Sequence, residues 1–125
     1  MKLLDTWAWI EYFKGTDTGA RVKSLMENSE VYTSAISLAE ISKWVFQNNG
    51  DLEFAVRQVK TNSIIIDIEE PILLIAGREY HKLRKIKKEI GMIDTIIYVS
   101  ADIHNLIVVT GDPDFAGLPD VEMLK

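Results

Sequence analysis

The sequence predicts an α/β fold: three layers, α/β/α, around a central, mostly parallel sheet. Short aliphatic and β-branched runs recur along the chain, as in Ile64-Ile65-Ile66 and Leu106-Ile107-Val108-Val109. Between them lie longer segments with apolar residues at helical spacing. The strand runs are apolar throughout rather than alternating, which marks a parallel sheet covered on both faces. The chain has 125 residues with no internal repeat, low-complexity stretch or linker, so one domain is expected over 1–125.

Leu3-Leu4 opens the first strand, which ends at Asp5. Residues 7–13 read as a short helix, apolar at 7, 9, 10 and 13. Gly15 and Thr16-Asp17-Thr18 read as a turn. Residues 21–27 form a helix with Val22, Leu25 and Met26 on one face, and Val31-Tyr32-Thr33 a second strand. Residues 37–46 keep the helical period through Leu38, Ile41 and Val45 until Asn48-Asn49-Gly50 stops them. A shorter helix, 52–59, leads to the strand 64–66.

Pro71 marks the next helix start. That helix is expected to run to about residue 90, with Ala76, Tyr80, Leu83, Ile86 and Ile90 facing inward and Gly91 ending it. Residues 93–101 form a further helix, apolar at 93, 96, 97 and 101, which Asn105 closes. The strand 106–109 follows, Gly111 and Pro113 break the chain, and 121–124 form a last strand.

Composition removes whole classes of chemistry. Cysteine is absent, which excludes disulfides, thiolate zinc sites, iron–sulfur clusters and a cysteine nucleophile. His81 and His104 are far apart and in no ligand spacing, which argues against a histidine-based triad. No apolar run approaches the roughly 20 residues of a membrane span. A carboxylate arrives at position 5, too early for a signal peptide, so a cytoplasmic protein is expected. The formal net charge of -5 argues against nucleic-acid binding driven by bulk charge. It does not argue against an enzyme that gathers its carboxylates around a metal.

Acidic residues fall at the ends of elements. Ligands of an open parallel sheet bind beyond the carboxyl ends of its strands. Asp5 ends the first strand, Thr110 and Asp112 follow the strand 106–109, and Glu40 and Asp94 are expected in the first turns of their helices. All four carboxylates converge if the first and fourth strands are neighbours. At ~4–5 Å and an effective dielectric of about 20, each like-charged pair costs on the order of 3–4 kcal/mol before relaxation. With oxygen ligands alone, the compensating cation is a hard one, Mg²⁺ or Mn²⁺. Such an ion suits phosphodiester hydrolysis by a metal-activated water.

Each position also has a plain structural role open to it. Ser37-Leu38-Ala39-Glu40 fits a capping box, Asp94 suits a helix N-terminus, and Asp5-Thr6 suits a cap. Thr110-Gly111-Asp112-Pro113-Asp114-Phe115 fits a tight turn. Joint order and placement favour a shared site.

Four segments together resemble the PIN-domain family, and most of all its small single-domain VapC-type toxins. They are Leu3-Leu4-Asp5-Thr6, Thr33-Ser34-Ala35-Ile36-Ser37-Leu38-Ala39-Glu40-Ile41, Gly91-Met92-Ile93-Asp94-Thr95-Ile96-Ile97 and Thr110-Gly111-Asp112-Pro113-Asp114-Phe115. The resemblance implies a Mg²⁺- or Mn²⁺-dependent endoribonuclease, commonly homodimeric, paired with an antitoxin that occludes its site. It implies that Asp5, Glu40, Asp94 and Asp112 are the metal-binding and catalytic acids, with Thr6, Thr110 and Asp114 supporting them. One position departs from the family pattern. Trp7 stands where Asn or Ser is usual, and an indole offers one N–H donor and no acceptor.

The segment 78–89 carries Arg78, Lys82, Arg84, Lys85, Lys87 and Lys88 against Glu79 and Glu89, six positive charges against two negative. A basic patch on an acidic protein steers a phosphate chain toward a metal cleft, and Arg84, Lys85 and Lys88 are candidate RNA contacts. A solvated helix end is the plainer account of the run. Trp7, Trp9 and Trp44, at helical spacing, read as core or interface residues. Trp44 and Phe46 lie too close on one helix to both point inward, so one of them is expected at a dimer or antitoxin contact.

Two other functions fit parts of the pattern. A phosphoacceptor receiver domain would use Asp67, after the strand 64–66, with Thr110 as switch hydroxyl. It would also need paired acids after the first strand and a lysine after a fifth, and the chain has neither. A degenerate PIN fold that only binds a partner draws its support from Trp7.

Overall fold

The computed structural model describes residues 1–124. The elements run β1 (Lys2–Leu4), α1 (Thr6–Lys14), α2 (Asp17–Asn28), β2 (Val31–Ser34), α3 (Ala35–Gln47), α4 (Leu52–Asn62), β3 (Ile64–Ile66), α5 (Glu70–Leu83), α6 (Met92–Ile103), β4 (Ile107–Thr110), a short 3-10 helix (Pro113–Phe115) and β5 (Val121–Met123). The sheet order is β3-β2-β1-β4-β5, and every pairing is parallel.

Strand alternation sorts the core into two sides. Leu3 lies opposite Val108 and Leu4 opposite Val109. Leu4, Val31 and Val109 face α1 to α4, against Ala8, Trp9, Val22, Ile41, Val45, Ala55 and Val59. Leu3 and Val108 face the other side, with Leu83, Ile90, Ile97, Ala101 and Phe115. The inner strands β1 and β4 are buried on both faces beyond their first residues, which is why Leu3-Leu4 and Val108-Val109 are apolar without a polar alternate, whereas the edge strand β5 is only half-buried and carries Glu122. At Gly19 the α2 backbone comes so near α1 that a Cβ there would lie 2.1 Å from Glu11 O.

Several boundaries differ from expectation. Thr16 does not sit in a free turn; its side chain accepts from Gly19 N and caps α2, which starts at Asp17. Ser37 and Glu40 do not form a capping box. Ser34 is the N-cap of α3, Ser37 is buried inside it, and Glu40 is its sixth residue, in the second turn rather than the first. The helix after Pro71 ends at Leu83 instead of running to residue 90. Arg84 with Lys88, and Lys85 with Lys88, would be like-charged neighbours on a continued helix, which weakens it. Ile90 still reaches the core beside Leu83, whereas Ile86 is 70% exposed. Gly91 ends no helix but caps the start of α6, and Ile93 lies largely outside the core. Asn105 takes a left-handed conformation (φ 55°) just past the α6 cap, the role read for it. Trp44 stacks on Phe13 with centroids 6.1 Å apart, leaving Phe46 68% exposed.

β1 leads through α1 and α2 to β2 on one side, while its other neighbour, β4, leads to β5. The chain leaves these two adjacent strands in opposite directions, and a crevice opens at their carboxyl ends. Among the described residues, no helix is long and apolar enough to cross a membrane.

Candidate metal centre

The carboxyl ends of β1 and β4 deliver the first pieces of the site. Asp5 is the residue after β1 and the N-cap of α1; its Oδ1 accepts from Ala8 N at 2.9 Å. It is 3% exposed. Thr110, the buried last residue of β4, donates its hydroxyl hydrogen to the Asp5 carboxylate. Thr110 Oγ1 also accepts from Asp112 N at 2.9 Å, so one hydroxyl ties both strand ends together. Asp112 then caps the 3-10 helix, its Oδ1 accepting from Asp114 N at 2.9 Å.

The helices supply the other two acids. Asp94, in the first turn of α6, accepts from Gly91 N through Oδ2 at 3.3 Å. Glu40 projects from α3, and Thr6 Oγ1 donates to its Oε1 at 2.5 Å.

Asp94, Asp112 and Asp114 each place a carboxylate oxygen within 4.8 Å of the others. Asp5 adjoins this triad closely enough that the charges of Asp112 and Asp94 both act on it, and Glu40 likewise acts on Asp94. Burial pushes Asp5 up from 3.8 to about 7, with the neighbouring acids adding and the Thr110 and Ala8 hydrogen bonds opposing. Burial, followed by the charges of Asp112, Glu40 and Asp114, pushes Asp94 up to about 6 against its Gly91 hydrogen bond. Asp114 is raised by burial and by Asp112 and Glu89, and nearby Lys87 opposes the rise. None of the five carboxylates is in an ion pair among the described residues. The donor set is all oxygen, crowded and without a paired cation, which fits a hard divalent ion.

The family model described as PIN domain matches residues 2–121. The chain belongs to the PIN domain family. This PIN chain is 29% identical over 96 residues to Ribonuclease VapC4 of Mycobacterium tuberculosis (strain ATCC 25618 / H37Rv), covering 73% of each. Among solved structures it resembles a toxin-antitoxin complex from Klebsiella pneumoniae at 26% identity and TM-score 0.75, covering 100% of this chain and 98% of that one. FitAcB from Neisseria gonorrhoeae matches at 28% identity and TM-score 0.71, covering 99% and 98%. VapC20 of Mycobacterium tuberculosis shares the fold at TM-score 0.79 and 18% identity, covering 98% of each.

The structure brings together Asp5, Glu40, Asp94 and Asp112 with Thr6 and Thr110, all read from the sequence of this PIN domain. It also raises Asp114 from a supporting position into the tightest group of three. The signal was Asp112-Pro113-Asp114, where capping a 3-10 turn carries the second acid back beside the first. Arg84 is turned to another use. Its Nη1 donates to Tyr80 Oη at 2.8 Å and to Ile90 O at 3.4 Å, and its guanidinium lies over the Tyr80 ring. Lys85 and Lys88 are exposed, while Lys87, passed over in the sequence, is half-buried near Asp114. Asp67, the acceptor of a receiver domain, follows the edge strand β3, two strands from β1.

Proposed function

We propose that this PIN domain is an endoribonuclease dependent on Mg²⁺ or Mn²⁺, acting as the toxin of a VapBC-type pair. The observation that carries the reading is the triad Asp94, Asp112 and Asp114 at the crevice, flanked by Asp5 and Glu40 and lacking any paired cationic side chain. Asp94 and Asp112, with Asp5, Glu40 and Asp114 beside them, would hold the cation. A divalent ion held there would supply Lewis acidity, activating water and offsetting charge on a phosphodiester.

The remaining roles belong to the chain. Thr110 orients Asp5 and the Asp112 backbone together. Thr6 holds Glu40 toward the cluster. In the absence of a cation, burial and the neighbouring acids raise Asp5 to about 7 and Asp94 to about 6, so both take up protons at mildly acidic pH. Lys87, whose charge acts on Asp114, and the exposed Lys85 and Lys88 beside it in sequence would offer positive charge to an RNA backbone. Cytoplasmic residence, a homodimer and an occluding antitoxin belong to the same reading; solved toxin–antitoxin complexes among its structural relatives support the last. A small DNA-binding antitoxin encoded next to this chain's gene would fit it.

The test is cleavage of single-stranded RNA with Mg²⁺, with EDTA, and by Asp94→Asn. Cleavage is expected to require the metal and to fall about 10²–10³-fold in the variant, with unchanged circular dichroism. Full cleavage by folded Asp94→Asn would reject the assignment.

A further inference from the structure

We propose that Trp7 is a positioning residue for the acidic cluster: its indole, seated on the bare Cα of Gly111, holds the loop carrying Asp112 and Asp114 against the helix start carrying Asp5. The inference rests on reading the cluster as a cation site.

A Cβ on Gly111 would lie 2.2 Å from Trp7 Cη2, 2.4 Å from Cζ3 and 2.6 Å from Cζ2. Carbon atoms in contact sit about 3.5–4.0 Å apart, so the ring occupies the space a side chain would need. Backbone conformation does not demand the glycine: the positive-φ glycines among the described residues are Gly15 and Gly117. Gly111 is required for room.

The two partners sit at matched places in the site. Trp7 is the second residue of α1, two after Asp5, whose carboxylate caps that helix. Gly111 lies between Thr110, which donates to Asp5, and Asp112. Trp7 also packs on the core under α1 to α4. The indole is therefore a spacer between two segments that both deliver carboxylates. A small polar residue at position 7 would leave that spacing to hydrogen bonds. Here a rigid ring sets it, and the ring is compatible with glycine alone at position 111.

A double-mutant cycle on the full chain tests this, using Trp7→Ala, Gly111→Ala and the double variant. The probe is Mn²⁺, followed by electron paramagnetic resonance, beside the thermal midpoint of each metal-free protein. Gly111→Ala alone is expected to weaken Mn²⁺ binding about tenfold or more. In the Trp7→Ala background the same change is expected to cost less than about twofold, because the Cβ then has room. Equal weakening in both backgrounds, or none in either, would overturn the proposal alone. A parent protein that binds no Mn²⁺ would overturn both the proposal and the cation-site reading. Should Gly111→Ala fail to fold, Trp7→Phe decides: weaker Mn²⁺ binding in a protein of near-parental midpoint supports the spacer, and unchanged binding rejects it.

Discussion

Thr6 Oγ1 and Glu40 Oε1 lie 2.5 Å apart, a contact that ties the first residue of α1 to the second turn of α3. Ser37 Oγ, buried beneath them, is 3.1 Å from the same Thr6 oxygen. A hydroxyl donating to a carboxylate is stronger than a neutral pair. It fixes the one acid of the cluster that comes from a helix interior. Thr6→Val keeps the shape and removes the donor. The expected cost is about 1 kcal/mol of stability. The cleavage rate is expected to fall about tenfold, because Glu40 loses its orientation. Urea denaturation and single-turnover cleavage read the two effects, and a rate equal to the parent's would show that Glu40 needs no such support.

The raised carboxyl groups predict how the metal-free protein responds to pH. An unfolded aspartate loses its proton near 3.8, whereas folded Asp94 and Asp5 hold theirs to about 6 and about 7. Between those values the folded chain binds more protons than the unfolded one, so stability falls as pH rises. For Asp5 the difference amounts to at most on the order of 4 kcal/mol, and for the more exposed Asp94 to less. The thermal midpoint of metal-free protein should drop between pH 5 and 8. If the acids bind a cation as proposed, saturating Mn²⁺ should favour their deprotonated form and reduce the drop. A midpoint that is flat or rises over this range would contradict the burial of these charges.

Asp5→Asn isolates the cost of the buried charge, which burial sets first and the neighbouring acids increase. Asparagine caps a helix about as well as aspartate, so the Ala8 hydrogen bond survives. Removing the charge should stabilise metal-free protein by about 1–3 kcal/mol at pH 8. At pH 5, where Asp5 already carries its proton, the gain should nearly vanish. The same variant should be protected less by Mn²⁺. Equal protection of variant and parent in a melting series would remove Asp5 from the metal's surroundings.

Two glycines should respond to alanine in opposite directions. At Gly19 the added carbon meets the Glu11 backbone at 2.1 Å, so α2 must move off α1, and about 1–3 kcal/mol or more should be lost. At Gly77, inside α5, nothing lies within 4 Å. Alanine there should stabilise by about 0.4–1 kcal/mol through lower unfolded-chain entropy. Thermal melts of the two variants give the signs; a loss at both would mean α5 is packed more closely than its exposed face implies.

Much of the site was legible because its parts are local. Asp5, Asp94 and Asp112 each follow a recognisable strand end or open a recognisable helix, and parallel sheets put such positions on one rim. What proved misleading was also local. Ser37-Leu38-Ala39-Glu40 has the form of a capping box, yet Ser34 takes the cap because β2 runs straight into α3 there. The periodicity of 71–90 suggested one helix, since Leu83, Ile86 and Ile90 share a spacing, and periodicity does not register the like charges between them.

The sequence by itself determined the order of strands and helices, the two-sided burial of the inner strands and the placing of Asp5, Asp94 and Asp112 at the ends of elements. These follow from apolar period, caps and turn residues, which are read within a few positions. Only the tertiary structure decided that Asp114 joins Asp94 and Asp112, that Arg84 turns back onto Tyr80, and that Trp7 sits on Gly111. Each of those depends on close approach, and in the case of Trp7 the partner lies on another strand's loop. Distances between remote segments come from how the sheet and its helices pack, and no local pattern encodes them.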